Sequence, residues 1–380
     1  MRFLWSILVL LLVVLVSAGD EAALLTSKAR LSNGGSLASW NSSSGFCSWE
    51  GVTCGHRTPA RVVALRLRGA GLVGALSPAI GNLTFLRTLD LSTNSLHGDI
   101  PASLGRLRRL QLLYLSDNSF SGTFPVNLSS CVSMSRMRLD NNTLGGRIPA
   151  ELGEKITYLA LITLRNNSFT GTIPASLANQ FLDLSNNQPT RSIPPELSSI
   201  QGMPYFALSV NLITGMLPPS LFNWSSLEAF AVGSNMLYGR IPDDIGNNFP
   251  KLKVLSFPIN QFTGVLPSSI SNMSDLPKIN LFENRFSGYV PPTLGKLGAI
   301  QNLDFAHNTL KADDNKGWEF ITSLANRTRL QRLSLGTNSF GGQLPGSIMN
   351  HSATLSEFHI ANNMVYGVIP TDIGNLVGFF

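Results

Sequence analysis

The chain has 380 residues and a formal charge of +6, and 13% of its residues are charged. Because the basic residues are scattered, this composition argues against a protein that binds nucleic acid or a membrane surface. Glycine and proline are frequent, at 34 and 21 residues, which suits a chain that turns often around a long apolar seam.

The N-terminus has the composition of a secretory signal peptide. Arg2 precedes an apolar run from Phe3 to Val16, and the small residues Ser17-Ala18-Gly19 follow it. This run is short for a membrane span, and nothing later in the sequence is longer. We therefore expect residues 1–19 to be removed and the chain from Asp20 to be exported without a membrane span.

Residues 20–60 are predicted to form an N-terminal cap. They contain an amphipathic run and two tryptophans, namely Ala23, Leu24, Leu31, Leu37, Trp40 and Trp49. Six residues separate Cys47 from Cys54, and an oxidising compartment favours a disulfide between them. Cys131 then remains as a buried free thiol.

The stretch from Val62 to Gly74 raises the question of a nucleotide-binding domain. A β-branched and leucine-rich run leads into Gly69–Gly74, which fits G-x-G-x-x-G, and Asp90 follows at the end of the next apolar run. However, Pro78 stands where a dinucleotide-binding fold needs a long helix. The stretch is better explained as the first coil of a repeat, in which Gly69 and Gly71 have no assigned part.

The repeat organises most of the chain. Each unit reads L-x-x-L-x-L-x-x-N-x-L-x-G-x-I-P, with leucines that share one face of a short strand, a hydrogen-bonding asparagine, a turn glycine and an extended proline. Most spacings are 24 or 25 residues, and the key positions are Asn94, Asn118, Asn142, Asn167, Asn187, Asn211, Asn235, Asn260, Asn284, Asn308, Asn338 and Asn363. This pattern predicts an α/β leucine-rich-repeat solenoid of about 13 repeats over residues 61–380, curved as a horseshoe or superhelix, with a parallel sheet on its concave face.

Two units depart from this pattern. The step from Asn167 to Asn187 is 20 residues, and Pro189 and Arg191 replace the usual leucine and glycine, so we expect a local kink. In a 30-residue unit, Trp318, Ile321 and Leu324 recur at helical spacing after Asp313-Asp314-Asn315. We expect these polar residues to cap a short helix that pads the convex side.

Residues that precede each asparagine by six, four or two positions should face outward from the sheet. Two groups of these residues are candidate ligand contacts. Arg136, Arg138 and Arg165 suit an acidic peptide or a carboxyl terminus, and the aromatic residues Phe181, Tyr205 and Phe282 suit a protein partner. The alternative is that the arginines are ordinary surface charges and that the aromatic rings pack on neighbouring strands.

Nine N-x-S/T sequons strengthen the expectation of export and predict glycosylation. They lie at Asn41, Asn82, Asn127, Asn141, Asn166, Asn223, Asn272, Asn326 and Asn350. Four of them fall twelve residues after a key repeat position, so their glycans would line one repeated site away from the concave sheet. These four are Asn82, Asn223, Asn272 and Asn350.

These residues carry a resemblance to a known family. The L-x-G-x-I-P consensus, the segment SWNSSSGFCSWEGVTC at residues 39–54 and the signal peptide resemble the ectodomains of plant leucine-rich-repeat receptor-like kinases. The resemblance is closest to the immune subgroup that senses bacterial proteins and peptides, and residues 308–335 resemble a longer repeat of that subgroup.

The resemblance implies a ligand on the concave or lateral surface, a leucine-rich-repeat co-receptor kinase, a membrane helix and a cytoplasmic Ser/Thr kinase. This sequence shows no membrane helix and no kinase motif, and it ends NLVGFF at Phe380 without a C-terminal cap. The expected location is the apoplast, or the plasma membrane if the chain is a fragment of a longer receptor.

Two functions remain open. The first is a ligand-binding receptor ectodomain that acts in defence or development, and the alternative is a secreted inhibitor of a microbial cell-wall hydrolase, similar to plant polygalacturonase-inhibiting proteins. The five histidines lack metal-ligand spacing and no G-x-S-x-G elbow occurs. We therefore expect no catalytic residue, metal or cofactor.

Overall fold

The structure is a computed structural model that describes residues 19–32, 34–41, 43–177, 181–199, 202–325, 327–347 and 355–369. Residues 1–18 of the expected signal peptide and the sequons at Asn326 and Asn350 lie outside these residues. The chain divides into two compact units, Met1–Gln188 and Pro189–Phe380. Within the described ranges, no helix has the length and apolar character needed to cross a membrane.

The cap begins with helix α1 over residues 19–28. Strand β1 (Leu31–Ser32) pairs antiparallel with β4 (Val73–Ala75), and β2 (Val52–Cys54) pairs antiparallel with β3 (Val62–Arg66). Of the predicted amphipathic run, Ala23 and Leu24 lie in α1 and Leu31 lies in β1. Ala23, Leu24, Leu37, Trp40 and Trp49 are buried.

The cap is closed by aromatic stacking and a disulfide. The ring centroids of Trp40 and Trp49 are 5.7 Å apart, and the Trp40 indole Nε1 donates to the carbonyl oxygen of Glu50 at 2.9 Å. Cys47 Sγ is bonded to Cys54 Sγ, as predicted. A short 3-10 helix, Phe46–Ser48, lies within this loop.

Each unit contains a main sheet in which successive coils pair in parallel. In the first unit, β3 is followed by β5 (Thr88–Asp90), β7 (Leu112–Tyr114), β9 (Arg136–Arg138), β11 (Leu161–Thr163) and β13 (Phe181–Asp183). In the second unit the main strands are β15 (Tyr205–Ala207), β17 (Ala229–Ala231), β19 (Val254–Ser256), β21 (Lys278–Asn280), β23 (Asn302–Asp304), β25 (Arg332–Ser334) and β27 (Glu357–His359).

A second set of strands follows the repeat asparagines and forms what we call the lateral face. In the first unit these strands are β4, β6 (Ser95–Asp99), β8 (Ser119–Ser121), β10 (Gly145–Arg147) and β12 (Ser168–Gly171). Strand β14 (Gln188–Arg191) begins at the last residue of that unit. The second unit continues with β16 (Leu212–Gly215), β18 (Met236–Arg240), β20 (Gln261–Gly264), β22 (Arg285–Tyr289), β24 (Thr309–Ala312), β26 (Ser339–Gln343) and β28 (Met364–Tyr366).

The remaining segment of each coil is helical or irregular. The first unit has the 3-10 helices Pro78–Asn82, Ala102–Arg106 and Val126–Ser130, and helix α2 (Glu151–Lys155). The second has the 3-10 helices Pro195–Ser199, Pro219–Asn223, Ser268–Asn272 and Pro292–Lys296, and helices α3 (Ile245–Asn248) and α4 (Glu319–Leu324). This third segment completes the α/β leucine-rich-repeat solenoid that the sequence predicts.

The core of the second unit is richer in aromatic side chains than the leucine pattern suggests. Phe206, Phe230, Phe257, Phe262 and Phe286 are fully buried. Successive rings along this series have centroids 4.8 to 6.4 Å apart. Phenylalanine thus replaces leucine at inward positions without disturbing the repeat, and its rings form contacts from one coil to the next.

The residue before each repeat asparagine adopts a left-handed backbone, with φ from 51° to 59° among the non-glycine residues at this position. In the first coil this position is Gly69, with φ of 63°. Gly69 therefore belongs to the repeat, contrary to the sequence interpretation, because a glycine reaches this conformation without steric cost. Gly71 has φ of 66°, a feature of this first coil.

The longer unit is organised differently from our expectation. Trp318, Ile321 and Leu324 are buried as predicted, but α4 begins at Glu319 without a side-chain cap. The Asp314 carboxylate instead accepts a hydrogen bond from the backbone N–H of Gly317 at 2.7 Å. The polar residues thus stabilise a turn before the helix, and the Trp318 indole donates to the carbonyl oxygen of Gly341 at 2.9 Å.

A buried ion pair joins the cap to the first coil. Asp20 is fully buried, and its carboxylate accepts two hydrogen bonds from the guanidinium of Arg61, at 2.8 and 2.9 Å. It also accepts a hydrogen bond from the backbone N–H of Val62 at 2.8 Å. Sequence analysis gave Asp20 no role, because its partner is 41 residues away.

We predict that Asp20→Ala destabilises the capped first unit by about 3–5 kcal/mol, because it leaves a desolvated guanidinium and a backbone donor unpaired. Urea unfolding of the secreted chain, followed by circular dichroism, measures the change. The control is Glu228→Ala, which removes an exposed ion pair with Lys253 and should leave the transition nearly unchanged. Equal midpoints for Asp20→Ala and the wild type would contradict the proposed anchor.

Cys131 is fully buried and is not bonded to another cysteine. Its Sγ lies 3.3 Å from the carbonyl oxygen of Leu104. Burial raises the pKa of the Cys131 thiol to about 12. The reactive thiolate is therefore scarce near neutral pH, and the thiol acts as a small apolar core group.

We predict that the folded chain does not react with Ellman's reagent at pH 8, because only on the order of one in ten thousand Cys131 thiols is ionised at this pKa. Unfolding in guanidinium without reductant should release one reactive thiol, since Cys47 and Cys54 stay bonded. Rapid reaction of the folded chain would show that Cys131 is accessible.

Candidate ligand-binding surface

The outward residues of the main strands form a continuous surface in each unit, which we call the sheet face. Side chains alternate along a strand, so the residues six, four and two positions before each asparagine lie on this face. In the first unit the strand register aligns Arg66, Asp90, Tyr114, Arg138, Thr163 and Asp183 in one row. Each coil thus contributes a different side chain to the same position.

The structure brings the three predicted arginines together. Arg136 and Arg138 are exposed on β9, and Arg165 is exposed two residues beyond β11, the adjacent strand. None of the three forms an ion pair with a carboxylate in the part of the chain that is described. The Arg138 guanidinium lies over the Tyr114 ring, 5.4 Å from its centroid. We call Arg136, Arg138 and Arg165 the arginine cluster.

A carboxylate lies between these arginines that sequence analysis did not single out. Asp140 accepts hydrogen bonds from the hydroxyls of Thr163 and Ser116, at 2.5 and 3.2 Å, and from the backbone N–H of Arg165 at 3.1 Å. Desolvation by burial raises the pKa of Asp140, although these hydrogen bonds oppose the shift. Asp140 fixes the local backbone and lowers the positive charge of the arginine cluster.

The three candidate aromatic residues do not form one group. Phe181 lies in the first unit, whereas Tyr205 and Phe282 lie in the second, and all three are half-buried rather than exposed. The Phe282 ring contacts the His307 ring edge to face, with centroids 4.9 Å apart. Phe282 thus packs on its neighbouring coil, which is the alternative that sequence analysis left open.

The sequons fall into two structural classes. Asn82, Asn223 and Asn272 are exposed, and each is the last residue of a 3-10 helix, away from the sheet face. Asn41 and Asn127 are exposed too. In contrast, Asn141 and Asn166 occupy left-handed positions in a ladder of side-chain hydrogen bonds with Asp117 and Asn186, with distances of 2.5 to 2.6 Å.

Other features of the described residues offer little for chemistry. No cluster of three or more His, Cys, Asp or Glu side chains there could hold a metal ion. A shallow depression of about 470 Å³ is lined by Ala102, Ser103, Gly105, Arg106, Arg108, Asn127 and Ser130. It lies on the helical segments of the first unit, beside the Asn127 sequon, and is open to solvent.

Residues 17–55 match the family described as leucine rich repeat N-terminal domain, and residues 85–107 and 109–131 match the Leucine Rich Repeat family. The chain is 55% identical over 84 residues to Receptor kinase-like protein Xa21 of Oryza sativa subsp. japonica, which covers 20% of this chain and 8% of that protein. It is 51% identical over 84 residues to LRR receptor-like serine/threonine-protein kinase EFR of Arabidopsis thaliana, covering 21% and 8%. The matched segments therefore span about 8% of the length of these curated relatives.

Two solved structures are similar over most of the chain. The plant peptide hormone receptor RGFR1 in complex with RGF2 has a TM-score of 0.74 and 31% identity, covering 80% of this chain and 48% of that one. The Arabidopsis receptor kinase HAESA in complex with the peptide hormone IDA and the co-receptor SERK1 has a TM-score of 0.57 and 27% identity, covering 95% and 76%. The chain is a leucine-rich-repeat solenoid protein whose relatives are plant receptor kinases and whose structural neighbours are the ectodomains of such receptors.

Proposed function

We propose that this chain is the extracellular ligand-recognition module of a plant receptor kinase or receptor-like protein. We infer that it binds a peptide or protein ligand in defence or developmental signalling. The observation that carries this proposal is the contrast within each coil, where inward positions stay apolar while the sheet face changes from coil to coil. Such variation suits a recognition surface, because no packing requirement fixes these side chains.

The similar proteins support this proposal. RGFR1 and HAESA were solved with peptide hormones, and the HAESA complex includes the co-receptor SERK1. By analogy, we infer that a leucine-rich-repeat co-receptor kinase joins this chain once its ligand is bound. We propose recognition rather than catalysis for this chain, because its exposed arginines suit the binding of a carboxylate and its structural neighbours RGFR1 and HAESA were solved with bound peptide hormones.

We propose the arginine cluster as the ligand's anchor. Three exposed guanidinium groups on adjacent coils can each bind a carboxylate through two hydrogen bonds. Phe181 extends the proposed contact surface of the first unit, and Tyr205 does so in the second. An acidic side chain or a free carboxyl terminus is the ligand group that best fits the arginine cluster.

We predict that Arg138→Glu weakens the binding of short peptides that end in aspartate and a free carboxylate by at least about tenfold, because it reverses the charge of the central arginine. Isothermal titration calorimetry on the secreted chain gives the affinities, with peptides amidated at the C-terminus for comparison. The matched control is Arg106→Glu, an arginine on the helical segments that contacts Asn82. Equal affinity for Arg138→Glu and the wild type would show that the ligand binds elsewhere.

We propose that the sequons on the helical segments carry glycans that leave the sheet face accessible. We predict occupancy at Asn82, Asn223 and Asn272, and little at Asn141 and Asn166, which lie in left-handed turns at the edge of the sheet face and are hydrogen-bonded to each other. Release with peptide N-glycosidase A in ¹⁸O-labelled water, followed by peptide mass spectrometry, reports each site. Full occupancy at Asn166 would mean that a glycan stands beside the arginine cluster.

A further inference from the structure

The second unit has a group of exposed apolar side chains on its lateral face. Seven side chains there are 40% to 61% exposed, and they belong to three successive coils: Val210, Leu212, Met216, Met236, Tyr238, Ile259 and Val265. Thr214, between Leu212 and Met216 on β16, pairs with Met236 on β18. Met216 lies across Gly239, where a Cβ would be 2.9 Å from its Cγ. We call these seven residues the lateral apolar patch.

The repeat itself does not require apolar residues at these positions. On β6 and β8 in the first unit, the outward lateral residues are Ser95, His97, Asp99, Ser119 and Ser121. These coils fold with the same strand pairing as those of the second unit. The lateral apolar patch is therefore a local property of the second unit and not a consequence of the fold.

Two members of the patch also hold a strained backbone. Val210 and Ile259 adopt left-handed conformations, with φ of 59° and 53°. Other described coils fill this position mainly with Gly, Asn, Asp, Ser or Thr, and asparagine and glycine in particular tolerate it. An aliphatic side chain branched at Cβ is unfavourable there, so exposed Val and Ile lower stability and leave apolar surface in water.

Basic side chains lie within the patch and beside it. Arg191 on β14 pairs with Ile213 beside Leu212, Arg240 lies on β18 along Gly264, and Arg285 on β22 pairs with Thr263. None of these three arginines has an ion-pair partner among the described residues. Glu283, at the position on the next coil that corresponds to Ile259, adds a carboxylate. An acidic partner therefore fits this surface better than a basic one.

We propose that the lateral apolar patch docks an extended polypeptide segment of a partner protein, in which apolar side chains alternate with carboxylates. The apolar side chains of the partner cover Leu212, Met216 and Tyr238, and its carboxylates face Arg240 and Arg285. This surface is separate from the arginine cluster, so the proposal goes beyond the ligand site proposed above and can fail independently of it.

The test uses the full secreted chain and two synthetic peptides, one of alternating leucine and aspartate and its twin of alternating leucine and lysine. We expect the aspartate peptide to bind, with affinity that falls as salt rises, and the double variant Leu212→Asp/Met236→Asp to bind it at least tenfold more weakly. The matched control is Val73→Asp, a 44% exposed lateral residue of the first unit. Val73→Asp should leave this binding unchanged.

Several results would overturn the proposal. These are no binding of the aspartate peptide to the wild type, equal binding of the lysine peptide, or equal loss with Val73→Asp. A further contradicting result would come from sedimentation velocity. Self-association of the wild type that is lost in Leu212→Asp/Met236→Asp would show that a second copy of the chain occupies the patch. Loss of binding with Arg138→Glu alone would place the peptide on the arginine cluster instead.

A second variant separates recognition from folding. Val210→Asn/Ile259→Asn places at both positions a residue that other coils use there, and it should raise the midpoint of thermal unfolding. The same variant should weaken binding of the aspartate peptide, because it removes apolar contact area. A higher midpoint with unchanged binding would show that these two strained residues do not serve docking.

Discussion

The stacking of coils depends on the hydrogen bonds of the repeat asparagines. The Asn142 side-chain oxygen accepts from the backbone N–H of Phe120 at 2.9 Å, and its Nδ2 donates to the carbonyl oxygens of Leu115, Leu139 and Asp140 at 3.0 to 3.1 Å. One side chain thus satisfies buried backbone groups of its own coil and of the preceding one. Loss of the amide would leave several groups unsatisfied, at about 1–3 kcal/mol each. The first coil has no preceding repeat to bond to, which explains why alanine, as Ala70, can take the asparagine position there.

Because these amides and the inward apolar side chains fix each coil, the outward positions are free to vary. The same constraint sets the left-handed residue before each asparagine, since the backbone bends inward there. Polar residues at this position can bond along the coil edge, as Asn141 and Asn166 do. The side chains of Val210 and Ile259 cannot form such hydrogen bonds. They add exposed apolar surface and do not stabilise the coil edge.

The sequence predicted the solenoid, its parallel strands and the disulfide because each depends on short-range spacing. It also placed Arg136 and Arg138 outward, since side-chain alternation is local. It missed the contacts that join distant residues, such as Asp20 with Arg61 and Asp140 with Thr163. The half-burial of Phe282 depends on His307 in the next coil, and the left-handed role of Gly69 became clear from the backbone alone. Spacing identifies which face a residue occupies, whereas packing decides what that residue contacts.

The charges around the lateral apolar patch determine which kind of partner it favours. Exposed apolar surface on a sheet favours association with any complementary surface, including a second copy of the same chain. Arg191, Arg240 and Arg285 oppose that self-association, because two copies would bring like charges together in an apolar contact. The same arginines attract a carboxylate-bearing partner. The three arginines therefore disfavour self-association of the chain and favour binding of an acidic partner. A purely apolar surface could not distinguish between the two.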